Sequence, residues 1–102
     1  MQPIISVRNP AHVSERTKEH IEKACAKLGH FYDRIIDCEV VIEKQKLETS
    51  VEFKVKVKVP QQTLVASAAT EDENLFKAVD EAYERIEVQL KKYHDKQVEH
   101  RV

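Results

Sequence analysis

The most constraining feature of the sequence is a strict alternation of apolar and charged residues in the segment 50–59, SVEFKVKVKV. The apolar members are Val51, Phe53, Val55, Val57 and Val59, and the charged members between them are Glu52, Lys54, Lys56 and Lys58. Successive strand residues point to opposite faces of a sheet, so this pattern predicts a strand with one face on a core and the other in water. A sheet built around this strand has one apolar face, which amphipathic helices have to cover.

Two segments have the apolar spacing of such helices. The longer lies in the C-terminal third of the chain, with Thr70 or Asp72 as its predicted N-cap. Its apolar face consists of Leu75, Val79, Ala82, Tyr83, Ile86, Leu90 and Tyr93. The shorter is predicted over residues 15–28, with Ser14 as N-cap and Gly29, the only glycine, as C-terminal stop. The residues expected to pack there are Ile21, Ala24, Cys25 and Leu28 on the helix and Phe31 and Tyr32 just beyond it.

Three further segments have the composition of strands, residues 3–8, 38–43 and 63–69, and turn-forming residues separate them. The element order is therefore β-α-β-β-β-α. The first β-α-β unit predicts parallel strands joined by a right-handed crossover, and the later strands predict an antiparallel meander. Because only one sheet face is apolar, we predict a two-layer α+β fold, a four-stranded sheet with both helices on one face. A chain of 102 residues suits a single domain of this kind, spanning 1–102.

Composition excludes several classes of protein. Cys25 and Cys38 are too few for a disulfide framework and are expected to be core residues. There is no apolar run near the roughly 20 residues of a membrane span and no signal-peptide pattern. We therefore expect a reduced, cytoplasmic protein without a membrane partner.

The inventory of catalytic and ligand-binding residues is poor. The five histidines share no metal-ligand spacing with each other or with the cysteines, and one glycine is too few for a phosphate-binding glycine loop. Asp33 and Asp37 bracket a short segment, but a carboxylate pair in a loop is usually a turn feature. We expect no enzyme activity, metal, cofactor or small-molecule substrate.

The net charge is −1, from 17 basic and 18 acidic residues, so a nucleic-acid surface requires segregation of charge. Basic stripes run along both helices, with Arg16, His20, Lys23 and Lys27 on the first and Arg85, Lys92 and Lys96 on the last, where Gln89 is in line and Lys91 is nearby. Each stripe flanks its apolar face on the same rotational side, so side-by-side helices place the stripes along a shared groove or on its rim. Such stripes suit phosphate contacts, but a solvated face with ion pairs such as Glu19–Lys23 is the commoner interpretation.

A family likeness is carried by residues 26–28 (AKL), 31–35 (FYDRI), 40–42 (VVI) and 65–68 (VASA). On the last helix it is carried by Leu75, Phe76, Ala78, Val79, Asp80, Ile86, Gln89, Leu90 and Lys92. Together these residues resemble the ribosome hibernation promoting factor family, also called the sigma-54 modulation or ribosome-associated inhibitor family. The likeness covers nearly the whole chain in order, and it implies a fold similar to double-stranded-RNA-binding domains.

The resemblance implies a ribosome hibernation factor that does no chemistry. Such proteins bind the small ribosomal subunit, its 16S rRNA and its proteins, in the mRNA and tRNA channel at the decoding region. They inhibit translation and preserve idle ribosomes under stress or in stationary phase. The family's rRNA contacts correspond to Lys18, Lys27, Arg34, Arg85 and Lys92, and the helical stripes add Lys23, Lys91 and Lys96. Close relatives tend to be basic where this chain has Ala24 and Val88, which implies a weaker contact at those positions.

The end of the sequence at Val102 resembles the short family members, which lack the C-terminal dimerisation domain of the long ones. By that resemblance, the protein acts with a separate modulation factor to form ribosome dimers. The residues after about Lys96 are polar enough to be disordered. The alternative hypothesis is a protein-interaction module that modulates transcription. It predicts salt-insensitive binding to a protein, because salt screens apolar burial weakly and phosphate contacts strongly.

Overall fold

The structure, a computed structural model, describes residues 3–9, 11–32, 34–58 and 61–99, with side chains described as far as Tyr93. Its elements are β1 (Ile4–Arg8), α1 (Glu15–Phe31), β2 (Ile35–Lys44), β3 (Thr49–Lys58), β4 (Gln61–Thr70) and α2 (Phe76–Glu99). The strands lie side by side in the order β1-β2-β3-β4. β1 and β2 are parallel, and β2, β3 and β4 form an antiparallel meander, which confirms the predicted order and pairing.

The core lies between one face of the sheet and the two helices. The alternation in β3 is confirmed as far as Val57, since Val51, Phe53, Val55 and Val57 are completely buried. Val59, the last apolar residue of the predicted strand, lies outside the described residues. Phe53 is flanked in register by Val40 of β2 and Ala66 of β4, so the apolar face continues across the sheet. The helices bury Ile21, Cys25 and Leu28 from α1 and Leu75, Val79, Ala82, Ile86, Leu90 and Tyr93 around α2, all in the same cluster. Both helices therefore cover one face.

Cys25 and Cys38 join α1 to β2 inside this core. Their Sγ atoms lie 3.1 Å apart, and both thiols are free and buried. The hydrogen bond with Cys38, together with burial, raises the pKa of the Cys25 thiol, which therefore stays protonated. The pair packs as two small core residues with one polar contact, as predicted.

Strands β2 and β4 are longer than the sequence predicted. The added residues of β4, Gln61 and Gln62, pair with Lys58 and Val57 of β3. The added start of β2 also pairs with β3, through an irregular register beside Ile35. The long central strand β3 thus extends both neighbours, because each of its backbone N–H and C=O groups requires a partner. Neither helix, over the residues described, has a stretch long and apolar enough to cross a membrane.

The predicted N-cap of α1 is correct, and the predicted C-terminal stop is wrong. Ser14 caps the N-terminus as predicted, since its Oγ accepts a hydrogen bond from the Thr17 amide at 3.2 Å. Gly29 does not stop the helix, which continues to Phe31. The residue that follows the helix, Tyr32, is extended with φ −129°, and Gly29 does not have a positive φ. An extended residue ends α1, so the conformational freedom of glycine is not used there.

The N-terminus of α2 also differs from the prediction, because neither Thr70 nor Asp72 caps it. β4 continues to Thr70, whose hydroxyl accepts from the Asp72 amide at 3.1 Å in a local turn. The helix begins at Phe76, and the side-chain oxygen of Asn74 accepts from the Phe76 amide at 3.0 Å. Between them, Leu75 is buried and anchors the start of the helix on the core.

Replacement of Gly29 by alanine should stabilise the protein. Gly29 is exposed and lies inside a helix, where alanine loses less conformational entropy on folding. We expect the free energy of unfolding in urea to rise by roughly 0.5–1 kcal/mol. A marked loss of stability instead would mean that this position needs a left-handed backbone, as a C-terminal stop does.

The role of Asn74 is tested by Asn74→Ala, with Asp72→Ala as the matched control. Removal of the bond to the Phe76 amide should lower the free energy of unfolding by about 1 kcal/mol, whereas the control should change it little. Urea denaturation of both variants measures this difference. A larger loss of stability in Asp72→Ala than in Asn74→Ala would mean that Asp72 is the cap instead.

Candidate nucleic-acid interface

The two helices lie side by side and run in the same direction. Near the start of both, His20 stacks on Phe76 with ring centroids 4.5 Å apart, and its Nε2 lies 2.6 Å from Oδ1 of Asp80. Further along both, Nζ of Lys27 lies 5.9 Å from the ring centroid of Tyr83. Later residues of α1 contact later residues of α2, so the two helices are parallel. A shallow open groove lies between them.

The walls of this groove carry opposite charges. It is lined by His20, Lys23, Ala24 and Lys27 from α1 and by Asp80 and Tyr83 from α2. The exposed ammonium groups of Lys23 and Lys27 come from the α1 wall, whereas α2 supplies the Asp80 carboxylate. Burial raises the pKa of Tyr83 to about 12, with the Glu87 carboxylate as the next cause, so the phenol stays protonated. The cations of this groove therefore form one edge along α1.

The basic stripe of α2 lies on the opposite side of that helix, along the edge of the sheet. Nη1 of Arg85 donates to the Ser67 carbonyl at 2.5 Å, and Nε2 of Gln89 donates to the Val65 carbonyl at 2.7 Å. β4 is an edge strand, and α2 supplies hydrogen-bond donors to these two carbonyls. Lys92 follows Arg85 by two helical turns and lies on the same side of α2.

The two stripes therefore do not share a groove, which answers the question that the sequence left open. Both lie on the same rotational side of their helices. When two parallel helices sit next to each other on a sheet, equivalent flanks point in the same lateral direction, so only one of them faces the neighbouring helix. The flank of α1 faces α2, and the equivalent flank of α2 faces the free edge of β4.

The other predicted contacts are spread over the helical layer. Lys18 lies on the flank of α1 away from α2, and its Nζ is 3.7 Å from Oε1 of Glu15. Arg34 lies in the turn between α1 and β2. Lys91 is exposed on the same side of α2 as Asp80, about three helical turns further along the helix. Lys96 belongs to α2, but its side chain lies outside the described residues.

A second concave patch lies where α1 ends beside α2. It is lined by Phe31, Tyr32, Arg34, Ile35, Val57, Leu90 and Tyr93. We call the basic residues closest to this patch along α1, the following turn and α2 the basic end: Lys23, Lys27, Arg34 and Lys91. Cations there also complement the partial negative charge at the C-terminus of α1. At the opposite end, Glu71, Asp72 and Glu73 are exposed and acidic, and exposed Arg16 and Lys77 lie in the first turns of the two helices there.

Phe31 was predicted to pack and does not. Its side chain is 62% exposed at the end of α1, and the His30 ring meets it edge-on with centroids 5.2 Å apart. The sequence did not predict this exposure, because an aromatic residue next to a helix face normally indicates core. The sequence feature that pointed away from core was the position of Phe31 between the cations Lys27 and Arg34.

The lysines on the open face of the sheet are matched by acidic residues. In the β2–β3 register, Lys54 is opposite Glu39, and Lys56 is opposite Asp37. Within β3, Nζ of Lys54 lies 3.7 Å from Oε1 of Glu52. Opposite charges on facing strands attract each other, so this face is locally neutralised and less suited to phosphate than the basic end.

The part of the chain that the structure describes has no metal centre. It contains no group of three or more His, Cys, Asp or Glu side chains that could hold an ion. The polar contacts of His20 and of the two cysteines are to single partners within the fold.

Solved structures share this architecture. A ribosomal subunit interface protein from Coxiella burnetii superposes with a TM-score of 0.74 at 26% identity, covering 93% of this chain and 99% of that one. The N-terminal domain of Protein Y from Thermus thermophilus superposes with a TM-score of 0.72, covering 91% of this chain and 99% of that one. At 22% identity, the second likeness supports the fold alone.

Two named relatives are similar in sequence to this chain over most of its length. The ribosome hibernation promotion factor of Bacillus subtilis is 29% identical over 84 residues, which are 82% of this chain and 44% of that protein. The chain thus spans less than half the length of this relative. The ribosome-associated factor Y of Haemophilus influenzae is 33% identical over 84 residues, which are 82% of this chain and 75% of that protein.

The sequence profile of one family matches almost the entire chain. The profile is described as "Sigma 54 modulation protein / S30EA ribosomal protein", and the match covers residues 4–98. This range includes every strand and nearly all of α2. The chain therefore belongs to the Sigma 54 modulation protein / S30EA ribosomal protein family, the family that also includes the ribosome hibernation promoting factors.

Proposed function

We propose that this protein is a ribosome hibernation factor of the cytoplasm. It binds the small ribosomal subunit in the mRNA and tRNA channel at the decoding region, inhibits translation and preserves idle ribosomes under stress or in stationary phase. With a separate modulation factor, it promotes ribosome dimers. Membership of the family and the names of its relatives support a ribosomal partner. The single observation that carries the RNA contact is the segregation of cations at the basic end.

The basic end supplies charge without base-reading side chains. Lys23 and Lys27 project from one edge of α1, and Arg34 and Lys91 stand beside its C-terminal end. Ammonium and guanidinium groups gain affinity for RNA by replacing counterions along the phosphate backbone, whatever the sequence. Structured RNA is read mainly by shape and by its phosphate and ribose groups, which suits such a surface.

The net charge of −1 is compatible with this contact, because cations gather at the basic end and three consecutive carboxylates lie at the other end. The acidic residues 71–73 precede α2, at the other end of the helical layer from Lys91. Repulsion between these carboxylates and rRNA would turn the acidic end away and the basic end toward the phosphates. Charge segregation therefore sets the orientation of docking as well as its strength.

Arg85 and Lys92 would make a second contact, along the edge of β4. A guanidinium has five N–H donors, and Nη1 of Arg85 uses a donor on the Ser67 carbonyl. The other donors of this guanidinium can bind a phosphate while that bond holds the side chain in place. Lys18 contributes less to rRNA binding in this proposal, because its ammonium group already contacts Glu15. Breaking an exposed ion pair of this kind costs at most about 1 kcal/mol.

Co-sedimentation with isolated small subunits across a salt series tests the proposal. We expect binding that weakens steeply with salt, because phosphate contacts release counterions, and that transfer RNA blocks. Binding that is insensitive to salt and unaffected by transfer RNA would contradict the proposal and favour a protein-interaction module. Absence of binding even at low salt would contradict it as well.

Paired variants locate the rRNA-binding surface. In the double variant Lys23→Gln/Lys27→Gln, the slope of log affinity against log salt should decrease in magnitude by about 1 for each phosphate that the protein no longer binds. The matched control, Lys54→Gln/Lys56→Gln, removes the same charge from the open sheet face and should leave the slope unchanged. An equal decrease in the control would mean that the affinity depends on overall charge, and the assignment to the basic end would fail.

A further inference from the structure

Phe31 is an exposed aromatic ring on a surface of cations. The other large apolar side chains that the structure shows to be exposed are aliphatic: Ile4, Val7, Ile36, Leu47, Val65 and Val88. Scattered aliphatic residues of this kind are normal on a protein surface. The other described phenylalanines and tyrosines are buried or half-buried, so Phe31 is an exception that packing does not explain.

The surroundings of the ring combine apolar and aromatic side chains with cations. Lys27 precedes Phe31 by one helical turn and shares its side of α1, and Arg34 follows in the next turn of the chain. The His30 ring holds an edge-on contact with Phe31 at 5.2 Å and 73°. Among the described residues that line the adjoining patch, none is acidic. A protein partner that buried this ring would also have to desolvate the charges around it, which is costly.

We propose that Phe31 is a stacking platform for an unpaired nucleobase of RNA. This inference rests on the proposed function and names a contact within it. Cations flanking an exposed ring are the combination with which proteins hold single-stranded nucleic acid, since cations take the backbone phosphates and the ring takes the face of a base. Lys27 lies one helical turn before Phe31, and Arg34 lines the same patch as the ring, so both cations are near enough to hold the backbone of a strand whose base stacks there. Stacking tolerates any base, so the platform selects unpaired RNA rather than a sequence.

Three substitutions separate stacking from apolar contact. Phe31→Leu keeps an apolar, helix-compatible side chain without a ring, Phe31→Trp keeps a ring, and Leu47→Ala changes another exposed apolar residue, in the turn between β2 and β3. We expect Phe31→Leu to weaken binding to small subunits about tenfold, within the range for one stacked base, while the other two bind as the unchanged protein does. The salt slope of Phe31→Leu should stay unchanged, because no charge is removed. Since Phe31 is 62% exposed, equal thermal stability of the variants is the expected folding control.

Full binding by Phe31→Leu would overturn the inference and indicate an apolar contact or none. Equally weakened binding of Phe31→Leu and Phe31→Trp would also overturn it, because the ring would then not be the recognised feature. Both results leave the proposed function standing, since binding itself persists. If the unchanged protein did not bind small subunits, the proposed function would fail separately.

A fluorescence measurement decides the stacking site in either case. The chain has no tryptophan, so the Phe31→Trp variant reports from that position alone. We expect single-stranded oligoadenylate to quench this fluorescence, and base-free polyphosphate at the same charge concentration to leave it unchanged. Equal responses to the two polymers, or no response to either, would overturn the stacking platform.

Discussion

Packing of two helices against the single apolar face of a four-stranded sheet is the interaction on which the other features depend, because it determines where each polar flank points. Phe53, at the centre of that face, is completely buried and meets the Tyr83 ring edge-on, with centroids 6.4 Å apart. Truncation of a buried phenylalanine costs about 3–5 kcal/mol, whereas an exposed ion pair such as Lys18–Glu15 contributes less than about 1 kcal/mol. The apolar layer therefore holds the fold, and the surface charges remain available for binding.

The same layer gives the basic residues their geometry. Parallel helices on one sheet face place equivalent flanks toward different neighbours, so Lys27 faces α2 while Arg85 covers the edge of β4. Tyr83 links the groove to the core, since its ring packs on Phe53 and also contacts Lys27. A cation held over a ring that is itself fixed by the core has a defined position, which a shape-reading RNA contact requires.

The parts of the structure that were predicted correctly are those in which apolar residues recur at a regular spacing along the chain. The alternation from Val51 to Val57 and the helical spacing from Leu75 to Tyr93 both depend on neighbours in the chain, and both are confirmed. The errors concern features that distant residues decide. Gly29 lies inside α1 because the helix ends at an extended Tyr32. α2 begins late because β3 pairs with β4 as far as Thr70.

The sequence named candidate residues for the site, but it did not predict how the fold arranges them. The predicted topology implied parallel helices, but the neighbour of each flank depends on which strands a helix covers. α2 lies over β3 and β4, beside the free sheet edge, and α1 lies over β2. The exposure of Phe31 likewise follows from the way the chain leaves α1. The rRNA-contacting roles of Lys18, Lys23, Lys27, Arg34, Arg85, Lys91, Lys92 and Lys96 remain predictions.

The most direct test of the proposed docking is an electron cryomicroscopy structure of the protein bound to the small ribosomal subunit. We predict density in the mRNA and tRNA channel, with the basic end against 16S rRNA and the acidic residues 71–73 turned away from it. The open sheet face, where Lys54 and Lys56 are opposite Glu39 and Asp37, should make few rRNA contacts. Density that placed this sheet face on the rRNA, or placed the protein outside the channel, would contradict the proposed docking.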